Sequence, residues 1–555
     1  MRLPFGLAKA PESAEGVAPA EATAVPARFN WGRLGLMGLV LIGGMASLAL
    51  EMLGPRLMAP FFGQSLFIWA NQIGFTLIYL AIGYYIGGRV ADRWPYLRVL
   101  CGLMAVAALF TGLIPLISKP VLYWAAVGLN QESGNLFIST LLAVNLLFAA
   151  PTILLGMVSP FAIRLTLEKI GSAGRSAGDL YAISTTGSVI GAFLPVFVLI
   201  PDLGTQRSFF VIAVVTLLVA LWGLRPRGRI AAAVPAALML LPLLAPQLVP
   251  LGPLKTVSGI GYGQIVYQKE SLYNYIQVVR EQNGTMDLVL NEGHAIHSQY
   301  NPEWVLNGPD WYTDYALAAP LMANSPTMNP RLAIVGLAAG TVAKQYTATY
   351  GPVPIDGVEI DPDIVAVGRK YFAMTEPNLH VTVADGRPYM RFSKGTYDVV
   401  VLDAYKPPYI PFQLVTKEFF QETRARMAPD GVLYVNTAHV GHDYRLVQAF
   451  VNTISQVFPS VYTLDVPTPD GNVSSGKTIE NTLIFATARP TTLAGIEQRL
   501  AAAVGGSNDL LGTVAGETAP LLHVAHAQPG GIVFTDDEAP VEQLTDQLIL
   551  DYIQG

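Results

Sequence analysis

The sequence predicts a multi-pass α-helical membrane domain followed by a small β-rich subdomain and a Rossmann-type α/β domain. The first 250 residues contain several apolar runs of about 20 residues, the length that crosses a hydrocarbon core of roughly 30 Å. The chain is 52% hydrophobic and only 13% charged, which is typical of membrane proteins. From Gly261 the pattern changes to period-two strands, and then to strands alternating with helices. These shifts predict a disordered tail (1–30), a membrane domain (31–250), a β-rich subdomain (251–325) and an α/β domain (326–555).

The apolar runs give seven candidate membrane crossings. They are Trp31–Met52, Leu66–Val90, Arg98–Ile117, Leu136–Ser159, Leu180–Ile200, Ser208–Leu224 and Ile230–Val249. The last contains Pro235, Pro242 and Pro246, with Pro250 at its edge, an unusual number of prolines for one spanning helix. We therefore expect six crossings and a seventh segment that is broken, re-entrant or interfacial.

Basic residues are concentrated in alternate connections between these runs. Three connections carry three each: Arg89, Arg93 and Arg98; Arg164, Lys169 and Arg175; Arg225, Arg227 and Arg229. The connections containing Arg56, Lys119 and Arg207 carry one each. By the positive-inside rule the first set faces the cytoplasm. With six crossings, the chain is expected in the cell (inner) membrane with its catalytic domain in the cytoplasm.

Charge and cysteine content narrow the function classes. Residues 31–250 carry a net charge of +7 and residues 251–555 one of −13. An acidic second half disfavours nucleic acid as a partner and attracts cationic substrates. The single cysteine, Cys101, lies inside an apolar run, which excludes disulfides, cysteine-ligated zinc and a cysteine nucleophile from the second half. No metal-binding site is expected. Whether the chain forms a homodimer is left open.

The β-rich subdomain is predicted from alternating runs on either side of Asn283-Gly284, a strong hairpin signal. It places polar side chains ahead of the α/β domain that are candidates for binding substrate. These candidates are Tyr273, Asn274, His297, Gln299, Tyr312 and Asp314.

The α/β domain begins with a buried strand and a loop of small residues, Gly336 to Gly340, that lets the backbone approach a ligand at a helix N-terminus. The next strand ends in Glu359, about 20 residues beyond the loop, where a carboxylate grips a ribose diol. The following strands end in Asp385-Gly386, where a carboxylate suits an adenine amino group, and in Asp403. Because ligands bind outside the carboxyl ends of such strands, the pattern predicts an α/β methyltransferase-like (Rossmann-type) domain that binds an adenosyl-sulfonium compound.

These motifs together resemble the spermidine synthase family, and the helices before them resemble its transmembrane branch. The resemblance runs from about residue 31 to Ala486, on these segments: Ser271-Leu-Tyr273, Tyr312 with Asp314, Val358-Glu-Ile-Asp-Pro362, Asp385-Gly-Arg387, Tyr397 to Asp403, and Thr416-Lys-Glu-Phe-Phe420. It implies a membrane-bound aminopropyltransferase. Such an enzyme moves an aminopropyl group from decarboxylated S-adenosylmethionine, as co-substrate without a further cofactor, to a diamine such as putrescine, giving spermidine and methylthioadenosine.

The resemblance also implies residue roles. Glu359 would bind the ribose, and Asp385 with Gly386 would bind the adenine. Gly336 and Gly340 would shape the glycine loop. Asp403 would be the catalytic residue. A strand-end carboxylate can orient an ammonium group and accept its proton, and Tyr312, Asp314 and Tyr405 could bind the cation. The expected partners are thus a small cationic amine, an adenosyl substrate and membrane lipid.

Two departures from the family pattern leave the acceptor open. Lys406 stands where soluble members carry a second aspartate, and Ala338-Ala339 stands where their glycine loop carries one. One alternative is an S-adenosylmethionine-dependent methyltransferase, which would share Glu359 and Asp385 but must bind the methionine carboxylate. Another is a polyamine transporter or sensor, which would need a polar, charged path through the membrane.

Overall fold

The structure is a computed structural model that describes residues 31–554 apart from 63–65, 129–135, 167–172, 246–250, 252–262, 292–294, 406–408 and 469–478. The predicted N-terminal tail, residues 1–30, and Lys406 therefore lie outside the described residues. The described chain forms a helical bundle, a four-stranded sheet and an eight-stranded sheet covered by helices.

Nine helices form the first part of the described chain. They are α1 (Trp31–Phe62), α2 (Leu66–Arg93), α3 (Leu97–Gly128), α4 (Leu136–Gly156), α5 (Val158–Thr166), α6 (Ala173–Leu194), α7 (Ile200–Leu203), α8 (Thr205–Leu221) and α9 (Pro226–Leu244), with a π-helical turn over Pro195–Leu199 between α6 and α7. Six spans are long and apolar enough to cross a membrane by length and composition, and α8 is a shorter apolar helix. The predicted apolar helices are therefore present.

The expectation of a break in the seventh segment is wrong over residues 226–244. Whether the segment is re-entrant or interfacial stays a prediction, and residues 246–250 lie outside the described residues. Helix α9 runs without interruption from Pro226 to Leu244 and includes Pro235 and Pro242. It is one of the six spans long and apolar enough to cross a membrane. A proline removes one backbone hydrogen bond and bends a helix, but neighbouring helices can hold the bent helix together. Here Met239 packs so closely on α3 that a Cβ at Gly112 would lie 2.5 Å from its Cε atom.

The helices alternate in direction, so the bundle has two distinct ends. At one end, which we call the basic end, Arg164 pairs with Asp92 at 3.0 Å and Trp222 packs on Gly35 near the start of α1. The connections from α2 to α3 and from α8 to α9 lie at this end, and so do Arg164 and Arg175, on either side of residues 167–172. The opposite end, the docking end, carries Arg56, and the second part of the chain contacts the bundle there.

A four-stranded antiparallel sheet follows the bundle. Its strands, in order, are β1 (Gln264–Glu270), β2 (Tyr275–Arg280), β3 (Met286–Leu290) and β4 (Ile296–Tyr300). The predicted hairpin at Asn283-Gly284 joins β2 to β3, with Gly284 at φ +88°. The fourth strand contains His297 and Gln299, which were predicted only as part of a polar stretch.

The second sheet has eight strands in the order β12-β10-β11-β9-β8-β5-β6-β7. Strands β5 to β9 run parallel, whereas β11 is antiparallel to both of its neighbours and β12 is antiparallel to β10. Short helices α10 (Tyr312–Tyr315) and α11 (Ala319–Met322) precede it. The strands are β5 (Leu332–Val335), β6 (Ile355–Glu359), β7 (Leu379–Val383), β8 (Tyr397–Leu402), β9 (Met427–Val440), β10 (Ser460–Asp465), β11 (Ile479–Thr487) and β12 (Leu522–Val524).

Helices cover both faces of this sheet. They are α12 (Thr341–Tyr350), α13 (Pro362–Tyr371), α14 (Gly386–Phe392), α15 (Lys417–Arg424), α16 (Arg445–Ile454), α17 (Leu493–Val504), α18 (Asp509–Thr518) and α19 (Val541–Gln554). Successive residues of β5 enter opposite cores: Ile334 packs with Tyr346 on one face, and Ala333 packs with Phe450 on the other. This doubly wound sheet, with β11 and β12 reversed near one edge, is the Rossmann-like methyltransferase fold that the sequence predicts.

Candidate active site

The strand order reverses between β5 and β8, which makes this the point where ligands bind in open α/β sheets. Gly336 follows β5 here with φ +91°, a conformation that favours glycine. A Cβ at Gly336 would lie 2.3 Å from the backbone oxygen of Asp403, so no larger residue fits without moving β8. The glycine loop and the predicted catalytic aspartate are therefore in direct contact.

The rest of the loop is held in place by side chains from two other segments. Ala338 has a positive φ of 49°, and its N–H donates to the Glu359 carboxylate at 2.9 Å. The Ala339 N–H donates to Ser298 Oγ on β4 at 3.0 Å. Gly340, at φ +90°, precedes the first turn of α12. The four-stranded sheet thus supports the glycine loop through the hydrogen bond to Ser298.

Glu359 ends β6 next to this loop and is 7% exposed. Its carboxylate accepts the N–H groups of Ala338 (2.9 Å) and Asp361 (3.1 Å). Burial raises the pKa of Glu359 to about 7, and these two bonds oppose that rise. A carboxylate held by backbone donors beside a glycine loop is suited to bind a vicinal diol.

Asp361, two residues further on, connects this strand end to the turn between β1 and β2. It caps α13 by accepting the Asp363 N–H at 3.0 Å, as expected for an ordinary cap residue. Its other oxygen accepts Ser271 Oγ (2.5 Å) and Asn274 Nδ2 (3.0 Å). Asn274 is therefore occupied in holding the turn, whereas Tyr273 at its tip is 38% exposed.

Asp385 and Gly386 follow β7. The Asp385 carboxylate accepts the Arg387 N–H at 2.9 Å and so begins α14. A Cβ at Gly386 would lie 2.4 Å from Val335 Cγ1, which explains a glycine at this close approach to β5. Ile360 and Val383, at the ends of β6 and β7, are 38% and 50% exposed and offer an apolar surface beside the two acids.

Asp403 follows β8 and is half-buried. Its Oδ1 atom accepts Asn436 Nδ2 at 2.9 Å, and the Tyr312 hydroxyl is a second partner. Burial raises the pKa of Asp403 to about 6, while both hydrogen bonds favour the ionised form. The Tyr405 hydroxyl donates to the backbone oxygen of Asn436 at 3.2 Å. Asp403, Tyr312 and Tyr405 therefore lie close together, and their role in binding an amine stays a prediction.

Of three other predicted substrate residues, Asp314 and Gln299 have hydrogen-bond partners elsewhere. Asp314 is 1% exposed, and its oxygens accept the N–H groups of Asn307 and Gly308 and the side chain of Gln345. Gln299 donates to Asp287 at 3.0 Å, within the small sheet. Burial lowers the pKa of His297 to about 4, and its Nε2 atom has no hydrogen-bond partner among the described residues.

Of two cavities near the sheet, only the smaller touches the predicted site. The larger, about 330 Å³, lies between Phe458 and His526 and contains none of the predicted site residues. The smaller, about 40 Å³, is lined by Tyr405 and His439. His439 is fully buried and bonds to Thr482 at 2.8 Å, which is a structural role.

Sequence reasoning missed Asn436 and Ser298. Asn436 is a polar residue in the otherwise apolar run Gly431 to Asn436, which was a detectable signal. Ser298 lies between His297 and Gln299 and faces the opposite side of its strand, so the sequence singled out its two neighbours instead.

The arrangement defines a class of protein: an α/β domain of the Rossmann-like methyltransferase fold whose strand ends carry Glu359, Asp385 and a hydrogen-bonded Asp403 beside a glycine loop. Comparison with known proteins agrees. The profile of the spermine/spermidine synthase domain matches residues 318–480. The chain is 30% identical over 219 residues to the polyamine aminopropyltransferase of Vibrio vulnificus, covering 38% of this chain and 71% of that protein. The chain therefore belongs to the spermidine synthase (polyamine aminopropyltransferase) family of enzymes, as predicted.

Further relatives differ in their identity to this chain and in the share of each chain that is covered. A "probable polyamine aminopropyl transferase" of Bifidobacterium longum is 32% identical over 304 residues, which are 52% of this chain and 64% of that protein, slightly under two thirds. Among solved structures, a probable spermidine synthase from Corynebacterium glutamicum has a TM-score of 0.36 at 18% identity, covering 48% of this chain and 99% of that one. The spermidine synthase from Thermotoga maritima has a TM-score of 0.34 at 20% identity, covering 42% and 75%.

Proposed function

We propose that this chain is a membrane-bound aminopropyltransferase that uses decarboxylated S-adenosylmethionine as its co-substrate and a small amine, such as putrescine, as acceptor. The observation that carries the proposal is the position of Asp403 against the glycine loop, with Glu359 and Asp385 on the neighbouring strand ends. The family membership of the chain supports the same reaction.

In this reaction Glu359 would bind the ribose hydroxyls and Asp385 the adenine amino group, which leaves the sulfonium directed toward Asp403. The nitrogen lone pair of the amine attacks the aminopropyl carbon bonded to sulfur. The C–S bond breaks and its electron pair stays on sulfur, giving neutral methylthioadenosine. Asp403, ionised above its pKa of about 6, orients the ammonium group and accepts the proton that must leave before attack.

The methyltransferase alternative requires a partner for the methionine carboxylate. Arg387, the basic residue within the Asp385-Gly386-Arg387 motif, is already paired with Glu422 (3.2 Å) and Asp536 (2.6 Å). This pairing favours a donor without a carboxylate. Because Lys406 lies outside the described residues, the acceptor is proposed only as a small amine with putrescine as the first candidate.

The proposed location follows from the ends of the bundle. The sequence expectation of a cytoplasmic catalytic domain depended on a seventh segment that is broken, re-entrant or interfacial, and of these only the break is contradicted, by the continuous helix α9. The catalytic part contacts the docking end, opposite the arginine-rich connections. If the bundle crosses the membrane seven times, the positive-inside rule puts the catalytic domain on the outer face.

The decisive experiment is incubation of the purified full chain with a panel of amines and either decarboxylated or ordinary S-adenosylmethionine. We expect products that gain one aminopropyl group, together with methylthioadenosine, measured by mass spectrometry. A product that gains a methyl group from ordinary S-adenosylmethionine would instead establish the methyltransferase. Binding of polyamines without any transfer would favour the sensor.

A further inference from the structure

The bundle contacts the catalytic part through the turn that joins β1 to β2. Arg56, near the end of α1, donates to the backbone oxygens of Leu272 and Tyr273, the latter at 3.4 Å. These two residues form the tip of the turn and expose their side chains. A membrane helix thus holds the backbone of a segment that carries a predicted substrate residue.

A second contact lies beside the first. Glu270, the last residue of β1, accepts the Thr205 N–H at 2.8 Å and the Thr205 hydroxyl. The approach is close, because a Cβ at Gly204 would be 3.2 Å from the Glu270 carboxylate. Burial raises the pKa of Glu270, whereas the Thr205 bonds and the positive charge of Arg56 favour its ionised form. A buried carboxylate with specific donors fixes the position of the turn, since losing a donor would leave an unsatisfied group.

Apolar contacts also join this part of the small sheet to the bundle. Tyr275, the first residue of β2, is 8% exposed and belongs to an apolar cluster that includes Leu57, Phe62 and Ile200 of the helices. The turn is therefore bounded on both sides by residues that pack on the docking end.

From this turn a hydrogen-bond network leads to the nucleoside cleft. Ser271 and Asn274 donate to Asp361. The N–H of Asp361 donates to one oxygen of Glu359, and the other oxygen of Glu359 accepts the Ala338 N–H of the glycine loop. Asp361 thus links the segment held by the bundle to the carboxylate assigned to the ribose.

We infer that Arg56 is a positioning residue through which the membrane domain sets the affinity of the nucleoside cleft. The inference rests on the proposed function for the identity of the ligand. Arg56 does not touch the reacting atoms; it holds the turn whose Ser271 and Asn274 orient Asp361 and hence Glu359. The membrane domain would then be a structural part of the active site as well as an anchor.

The test uses the full-length protein and two matched substitutions. Arg56→Met removes both hydrogen bonds and keeps the length of the side chain. Arg207→Met removes the same charge from the same end of the bundle, where Arg207 makes no hydrogen bond or ion pair with other described residues. Calorimetry with methylthioadenosine should show Kd raised about tenfold by Arg56→Met and changed less than about twofold by Arg207→Met, within the range for residues that act through a network.

Steady-state kinetics provide a second readout that general damage would not reproduce. We expect Arg56→Met to raise KM for the adenosyl donor while kcat at saturating donor changes less than about threefold, because chemistry at Asp403 is untouched. Arg56→Lys, which retains the charge and one donor direction, should recover part of the affinity. If Arg56→Met does not fold, the same Kd and KM measurements on Arg56→Lys and Thr205→Val test the inference.

Equal Kd values for the native protein and a folded Arg56 variant would overturn the inference, and so would a loss of kcat without a change in KM. Both outcomes differ from a failure of the proposed function. That failure would appear as absent aminopropyl transfer in the native protein, whose methylthioadenosine affinity could still be compared with that of the variants.

Discussion

At the scale of single residues, the ribose-binding role proposed for Glu359 predicts that ligand affinity depends on pH. Its ionised form accepts hydrogen bonds from ribose hydroxyls best, and burial holds its pKa at about 7. Affinity for methylthioadenosine should therefore increase by up to about tenfold as pH rises from 6 to 8, the limit for one titrating group. The free energy of unfolding of the ligand-free protein should change with pH in the opposite direction. A raised carboxyl pKa stabilises the folded state at low pH, and this contribution is lost as pH rises through about 7.

Calorimetry across this range tests the assignment. Glu359→Gln should weaken binding at pH 8 by at least about tenfold, or roughly 1.4 kcal/mol, and should remove the pH dependence. Asp356→Asn provides the control, because Asp356 is on the same strand near its opposite end and pairs with Arg331 at 3.0 Å. A pH-independent affinity in the native protein would contradict the role given to Glu359.

Asp403 is the residue that the chemistry should need most. Asp403→Asn keeps the shape of the side chain and its position beside Asn436 but removes the base. Turnover should fall by at least about a hundredfold, the lower end for general base catalysis, while methylthioadenosine binding stays within about twofold. Asp398→Asn, at the other end of β8, should leave turnover nearly unchanged, since Asp398 only accepts the Arg331 N–H at 2.8 Å. Near-normal turnover of the Asp403 variant with the native acceptor would mean that the mechanism is wrong.

At the scale of secondary-structure elements, strand β9 tunes that aspartate. Asn436 donates to Asp403 and accepts Asn481 Nδ2 of β11 at 2.9 Å, so two strands hold its amide in one orientation. Asn436→Leu keeps the volume of the side chain and removes the bond that favours the ionised aspartate. The pKa of Asp403 should then rise above about 6, and the acid limb of the pH profile of kcat/KM should move to higher pH.

Asn481→Ala serves as the comparison for this prediction. It leaves the bond between Asn436 and Asp403 in place and removes only the second support, so a smaller displacement of the acid limb is expected. If the acid limb of the kcat/KM profile does not move in the Asn436→Leu variant, the proton is accepted by a group other than Asp403.

At the scale of the whole molecule, the testable property is the side of the membrane on which the catalytic part lies. Ser507→Cys places a thiol at an exposed position of the catalytic part, and Gly174→Cys places one at the basic end, where a Cβ has no neighbour within 4 Å. In intact cells, an impermeant thiol reagent should label Ser507→Cys directly and Gly174→Cys only after permeabilisation. The native Cys101 is buried and should not react.

The reverse labelling pattern would place the catalytic domain in the cytoplasm. An outward-facing domain has a further consequence for the donor. A sulfonium carries a fixed positive charge and does not cross a bilayer unaided, so the donor would have to be transported to that side.

Local sequence pattern predicts a membrane domain, a small β-rich subdomain and an α/β domain, with a nucleoside-type ligand for the last. Apolar runs of spanning length predict helices whatever their partners are, and small residues followed by acids at successive strand ends predict a nucleoside cleft because parallel strands end at one edge. Glu359, Asp385 and Asp403 could therefore be named from local pattern alone.

Which groups meet across distant segments depends on how the elements pack, and local pattern does not report it. Asn436 reaches Asp403 through the pairing of β8 with β9, and Ser298 reaches the glycine loop because one strand of the small sheet packs behind it. Asp314 and Gln299 matched a substrate role by residue type, but their bonds lie inside the protein. The contact of Arg56 with residues 272 and 273 joins positions more than 200 residues apart, and no local pattern reports such a contact. The proline count likewise does not reveal that α9 continues through Pro235 and Pro242, since neighbouring helices can tolerate such prolines.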